Sequence, residues 1–136
     1  GRLPEGFVAA VGTGCTFVGI ARALKRAAPG TLCAAVEPEG SAPLSGAPVT
    51  KPRHLLQGTG YGAVPPQWEA GLMEAGLTVS DAEAEEWRRL LAVREGLYVG
   101  YSAAANVCAA AALLRSGRLG AAATVATVLC DTGLKY

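Results

Sequence analysis

Phe7-Val8-Ala9-Ala10-Val11-Gly12-Thr13-Gly14-Cys15-Thr16-Phe17 is the stretch that decides the fold. Its first five residues are apolar without alternation, the pattern of a strand buried on both faces. Gly12 and Gly14 interrupt the run. Phe17, Ile20, Ala21, Leu24 and Ala28 then recur at helical spacing and leave Arg22, Lys25 and Arg26 for solvent. Pro29-Gly30 ends the helix, and Leu32-Cys33-Ala34-Ala35-Val36 is a second buried-strand run. Strand, helix and strand in so short a span predict a right-handed βαβ unit with parallel strands.

Downstream, residues 37–66 hold no period and are rich in Pro and Gly, including Gln57-Gly58-Thr59-Gly60-Tyr61-Gly62. A segment this long without regular structure is often functional. Ser80-Asp81-Ala82-Glu83 is a capping-box pattern, and the helix it starts should run to about Glu95, with Gly96 as its stop. Leu97–Val99 reads as a short strand or an extended link. A further helix runs from about Ser102 to Ser116-Gly117, and β-branched Thr124–Leu129 is the last strand. No internal repeat or low-complexity segment occurs.

The chain has 136 residues, the length of one domain, and can bury a core without disulfides or metal. With 51% hydrophobic and 17% charged residues, general disorder is excluded. A net charge of +1 argues against a nucleic-acid partner. The longest wholly apolar helical stretch, Val107–Leu114, is far short of the roughly 20 residues that cross a bilayer. No signal sequence opens the chain, which begins Gly1-Arg2-Leu3 as a processed chain or a piece of a longer one would. Cys15, Cys33, Cys108 and Cys130 lack C-x-x-C spacing, and the single histidine, His54, is remote from them, so no zinc site is expected. Apolar surroundings suggest buried, reduced thiols in a cytoplasmic protein for all but Cys15.

Ligands of open parallel sheets bind outside the carboxyl ends of the strands. Gly12–Thr16, Gly100–Ser102 and Asp131–Gly133 each follow a strand-like run, so a parallel sheet brings all three to one edge. Glycines followed by a helix N-terminus make an anion site, with phosphate as the natural occupant; the alternative is a tight turn needing glycine for geometry alone. The loop is neither a Walker sequence nor a dinucleotide fingerprint.

Val11-Gly12-Thr13-Gly14-Cys15-Thr16 resembles the G-T-G-G-T phosphate loop of the cysteine synthase and cystathionine β-synthase family, pyridoxal-phosphate enzymes of fold type II. Further motifs follow in the family's order. Val36–Ser41 resembles V-E-P-E-G-S, His54–Gly62 resembles H-K-I-Q-G-I-G-A-G, and Val79–Ala84 resembles V-S-D-E-E-A. Glu95–Ser102 resembles E-G-L-L-V-G-I-S, and Cys130–Tyr136 resembles P-D-S-G-E-R-Y. The resemblance implies a three-layer α/β fold with a mostly parallel sheet and helices on both faces, the larger, phosphate-binding domain of fold type II. It implies pyridoxal phosphate as cofactor, with Gly12, Thr13, Gly14, Cys15 and Thr16 around the phosphate. Cys15 replaces a glycine, so its backbone must tolerate a Cβ, and its thiol is either a passive small group or a reactive one. Ser102 matches the serine that meets the pyridine nitrogen and leaves the ring neutral, a weaker electron sink suited to eliminating a β leaving group. Read on its own, Ser102 is also an N-cap residue. Asp131 and Thr132 match residues near the pyridine end, where Asp131 alone reads equally as a turn or cap. Gly58, Thr59, Gly60 and Tyr61 match a loop bordering the substrate cleft.

The family's Schiff-base lysine, in an S-x-K-D-R context, has no counterpart at Lys25, Lys51 or Lys135. That lysine belongs to the family's N-terminal half, with the asparagine and the T-S-G-N-like loop that complete the site. The chain resembles the C-terminal half only. Residues 1–136 are therefore expected to form a single domain that works with an N-terminal half, on the same or a separate polypeptide, as a homodimer of the complete unit. The expected reaction is β-elimination and β-replacement on an O-activated serine. A threonine or serine dehydratase of the same fold and a non-catalytic binding module are the alternatives.

Overall fold

The computed structural model describes residues 1–136. Four parallel strands form one sheet in the order β3-β2-β1-β4: β1 Gly6–Ala10, β2 Leu32–Pro38, β3 Ala75–Val79 and β4 Val125–Thr127. Helix α1 (Cys15–Ala27) connects β1 to β2, while α2 (Asp81–Leu90) and α3 (Tyr101–Arg115) lie between β3 and β4. The expected three-layer arrangement is present. Alternation along β1 sends Phe7, Ala9 and Val11 toward α1, where they pack with Phe17, Val18 and Ala21. Val8 and its β2 neighbours Ala34 and Val36 face α3, against Ala105, Ala109 and Leu113. Alanine on both sides of that second interface lets α3 approach the sheet closely.

The order of the strands positions the site. The chain steps outward from β1 to β2 to β3, then returns to the other side of β1 with β4. The crossover that leaves β1 carries α1 on one face and the one that enters β4 carries α3 on the other, so a crevice opens at the strand ends between β1 and β4.

Three features depart from the sequence reading. Strand β3, Ala75-Gly76-Leu77-Thr78-Val79, was not anticipated; it is short, carries a glycine and forms an edge. Its Gly76 leaves room for Ser45, whose Oγ a Cβ would overlap. Strand β4 is only Val125–Thr127, narrower than the Thr124–Leu129 run. Helix α3 begins at Tyr101 with Gly100 as N-cap, so Ser102 lies inside the first turn and is not the cap. The Ser80 capping box forms in full, and the α2 path continues through one π-helical turn, Leu91–Glu95, to Gly96 at φ 69°.

The long segment after β2 is anchored through polar side chains. Buried Glu37 accepts from Leu44 N at 2.9 Å and from Ser45 N at 3.1 Å, holding the short 3-10 turn Pro43–Ser45. Ser41, fully buried, donates to the Gly60 carbonyl at 2.8 Å, and Gly60 N donates to Val11 O at 3.2 Å. The two glycine-rich segments therefore lie one over the other. Gly12 permits this crossing, because a Cβ there would overlap the Gly58 carbonyl oxygen.

Candidate active site

At the carboxyl ends of β1 and β4 lies a cavity of about 310 Å³, within the range of ligand sites. Its walls bring together the three predicted loops: Gly12, Thr13, Gly14 and Thr16 from the first, Ser102 from the second and Asp131 from the third. Gly58 and Thr59 close one side.

The Gly12–Thr16 end is built by a turn that only glycine makes easily. Gly14 has φ 89° and serves as N-cap of α1; Cys15, the first helical residue, keeps an ordinary negative φ. The cysteine that replaces the family glycine is therefore unstrained. It is exposed and does not line the cavity. No backbone N–H from Gly12 to Phe17 donates within the chain. These donors stand at the positive end of a 13-residue helix, beside the exposed hydroxyls of Thr13 and Thr16. The donor set fits a phosphate.

Across the cavity Ser102 is almost fully buried, and its Oγ makes only a long 3.3 Å contact to Gln57 O. The hydroxyl is free to turn toward a ring nitrogen. Asp131 accepts from the Tyr136 hydroxyl at 2.7 Å through Oδ2, while its Oδ1 is buried with no partner. Gly100 backs the carboxylate so closely that a Cβ would overlap Oδ1, and Gly100 N donates to Asp131 O at 3.1 Å. This orphaned buried oxygen leaves acceptor capacity for a polar ligand in the same cavity.

Other expected residues fall elsewhere. Thr132 is exposed, caps the turn Gly133–Lys135 by accepting from Leu134 N at 3.3 Å, and does not line the cavity. Gly60 and Tyr61 line a neighbouring cavity of about 500 Å³ with Arg53 and His54, and Gly58 and Thr59 border both. Thr59 Oγ1 donates to Leu56 O at 2.7 Å, so its hydroxyl is committed to the loop. Cys130 lines the cavity and is exposed, against the expectation of burial; Cys108 is half-buried, and only Cys33 is fully so. Partial burial and the Asp131 charge push the Cys130 thiol up, which keeps it protonated. No lysine reaches the cavity. Lys25 pairs with Glu74 and Lys51 with Asp81, and Lys135 is exposed in the last turn.

Two residues escaped the sequence reading. Asn106, one helical turn beyond Ser102, is buried and lines the cavity. Its signal was a lone amide in an alanine-rich helix. Arg88 is the other. Its guanidinium lies 4.1 Å over the Tyr101 ring, which meets Tyr136 edge-on at 5.1 Å, and Tyr136 in turn holds Asp131. Tyr98 and Tyr101 stand where the family motif has Leu and Ile, a departure that marks this stack.

A family model described as pyridoxal-phosphate dependent enzyme matches residues 1–131. A Staphylococcus aureus cysteine synthase is 35% identical over 136 residues, 100% of this chain and 43% of that protein. A Helicobacter pylori cysteine synthase is 38% identical over 130 residues, 96% of this chain and 41% of that one. Among solved structures, O-ureido-L-serine synthase superposes with a TM-score of 0.88 at 28% identity, over 99% of this chain and 42% of its own. The O-acetylserine dependent cystathionine β-synthase from Helicobacter pylori gives 0.82 at 36% identity, over 96% and 41%. The chain spans about two fifths of the length of these relatives.

Proposed function

The chain belongs to the family of pyridoxal-phosphate dependent enzymes, and from that premise we propose that it supplies the phosphate and pyridine-nitrogen contacts of an enzyme performing β-elimination and β-replacement on an O-activated serine. The observation that carries the reading is the convergence of the Gly12–Thr16 donors, Ser102 and Asp131 on one crevice. The substrate class follows from relatives named for cysteine, O-acetylserine and O-ureido-L-serine.

When bound, pyridoxal phosphate supplies an electron sink that labilises the bonds around the amino-acid Cα. The residues of this chain hold and tune it. The N–H groups of Gly12–Thr16, Cys15 included, receive the phosphate, and the Thr13 and Thr16 hydroxyls add donors that suit a dianion. Ser102, whose hydroxyl makes only a long contact to Gln57 O, would donate to the ring nitrogen. A serine hydroxyl donates there without delivering a full proton, so the ring stays neutral. Asp131 Oδ2 is engaged by Tyr136, and its Oδ1 would remain an acceptor for a polar group of the ligand. Gly58 and Thr59 border the opening through which substrate enters, with Gly60 and Tyr61 on the outer side.

The lysine that anchors the cofactor and moves the Cα proton comes, in this reading, from an N-terminal half carrying the S-x-K-D-R segment. Residues 1–136 are the complementary domain, and two complete units form a cytoplasmic homodimer. Exposed Val93, Leu97, Tyr98 and Leu134 support a face that another chain or segment covers. The test is Ser102 in the complete enzyme. Ser102→Ala should retain cofactor and slow β-elimination, and Ser102→Asp should shift the visible spectrum by protonating the ring. An unchanged spectrum and rate in Ser102→Asp contradict the assignment.

A further inference from the structure

The β1–β4 ladder ends at Val8↔Thr127, where Thr127 Oγ1 donates to Val8 O at 2.6 Å. One step farther along, no backbone hydrogen bond joins the two strands. The side chain of Asn106 stands in that place. Its Oδ1 accepts from Ala10 N at 2.7 Å, and its Nδ2 donates to Val128 O at 2.9 Å. The orientation of the amide is dictated by its partners, one an obligate donor and the other an obligate acceptor. Asn106 is only 2% exposed, so its amide relies on these two bonds in place of water, while Ala10 and Val128 are partly buried in the cavity wall.

We propose that Asn106 is a wedge that sets the width of the cofactor crevice and fixes the span between its phosphate end and its ring-nitrogen end. The proposal rests on the reading of that crevice as the pyridoxal-phosphate site. A primary amide inserted between two strands holds them farther apart than a direct N–H to carbonyl bond does. The separation begins where Ala9, Ala10 and Val128 become cavity wall. The three groups that Asn106 ties together each lead into one of the binding loops. Ala10 is two residues before Gly12, Val128 is three before Asp131, and Asn106 shares a face of α3 with Ser102, four residues earlier. One side chain thus sets the relative positions of the phosphate donors, Asp131 and Ser102. Asn106 touches the strands and acts on the cofactor through them, which makes it a positioning residue.

The test compares Asn106→Leu and Asn106→Asp with wild type in the enzyme that carries this chain together with its lysine-bearing half. Three signals are read: amide hydrogen exchange at Ala10 without cofactor, the phosphorus NMR resonance of bound pyridoxal phosphate, and its visible absorption band. In Asn106→Leu, exchange at Ala10 should rise and the dissociation constant for pyridoxal phosphate should increase about tenfold or more, as loss of a buried hydrogen bond implies. Both cofactor signals should shift, because both ends are displaced. Asn106→Asp keeps an acceptor for Ala10 N and loses the donor to Val128 O, so Ala10 stays protected while the cofactor signals still shift. Should the leucine variant fold poorly, the aspartate variant decides. A general packing defect would lower the melting temperature and leave both cofactor signals of the folded fraction in place, which overturns the proposal. Unchanged Ala10 exchange in Asn106→Leu also overturns it. A wild-type enzyme that binds no pyridoxal phosphate overturns the reading of the site, and exchange at Ala10 still reports on the wedge.

Discussion

Gly100 and Gly19 show how differently a methyl group acts at two glycines. At Gly100 a Cβ meets the Asp131 carboxylate, whereas at Gly19, in the middle of α1, it meets nothing within 4 Å. Gly100→Ala should cost about 1–3 kcal/mol in denaturant unfolding, because Asp131 must leave its seat beside Tyr136. Gly19→Ala should raise stability by about 0.5–1 kcal/mol, the ordinary preference of a helix interior for alanine. Tyr136 adds a pH signature. Its hydrogen bond to Asp131, then burial, then the Asp131 charge push it from 10.0 up to about 12. A tyrosine raised in this way contributes stability that is complete below pH 10 and is lost as pH rises toward 12. An ultraviolet titration should show a late-titrating tyrosine that Tyr136→Phe removes. That Gly12, Thr16 and Ser102 share one crevice was legible because motif and local chemistry agree on them. Asn106 and Arg88 were not. Asn106 meets Ala10 and Val128, far away in the chain, and Arg88 meets Tyr101 and Tyr136 through the packing of α2 on α3 and the last turn, contacts that no local pattern encodes.

Among the elements, α1, β1 and β2 were readable because both periodicities are uninterrupted there. Strand β3 was not, since an edge strand of five residues with a glycine carries little periodic signal. The N-cap of α3 was misplaced by two residues, because Gly100, with no side-chain cap, precedes a helix that starts at Tyr101, while Ser102 was the chemically obvious cap. The long segment before β3 gave no sign of its anchors. One of them is Asp81 at the start of α2, which accepts from Leu55 N at 2.8 Å and from Lys51 Nζ at 2.6 Å. Partial burial works to raise its pKa, but the Leu55 N–H and Lys51 outweigh burial and hold the carboxyl below its ordinary 3.8. A carboxyl lowered by folding contributes stability above pH 3.8 that is lost as pH falls through the lower folded value. The protection of the Leu55 amide against hydrogen exchange, taken relative to its free-peptide rate at each pH, should therefore hold at neutral pH and fall in acid. In Asp81→Ala that protection should be lost at both. Slow exchange at Leu55 in that variant at neutral pH would show that the loop is held by other contacts.

On the scale of the whole molecule, the crevice lies at the point where the sheet changes winding direction, and none of the three lysines lines it. Reduction of the reconstituted enzyme with borohydride, followed by peptide mapping, should place the pyridoxal adduct on the lysine-bearing half and on none of Lys25, Lys51 or Lys135. An adduct on Lys51 would make this chain catalytic in its own right. The central claim, that Gly12–Thr16 holds the phosphate, is tested most directly by titrating the complete enzyme with pyridoxal phosphate and with pyridoxal, wild type against Thr16→Val. The lost hydroxyl is worth about 1.5–3 kcal/mol as a charge-assisted donor, so pyridoxal phosphate should bind roughly ten- to a hundredfold more weakly. Pyridoxal, which lacks the phosphate, should bind both proteins alike. Equal loss for the two compounds, or no loss for either, would contradict the claim.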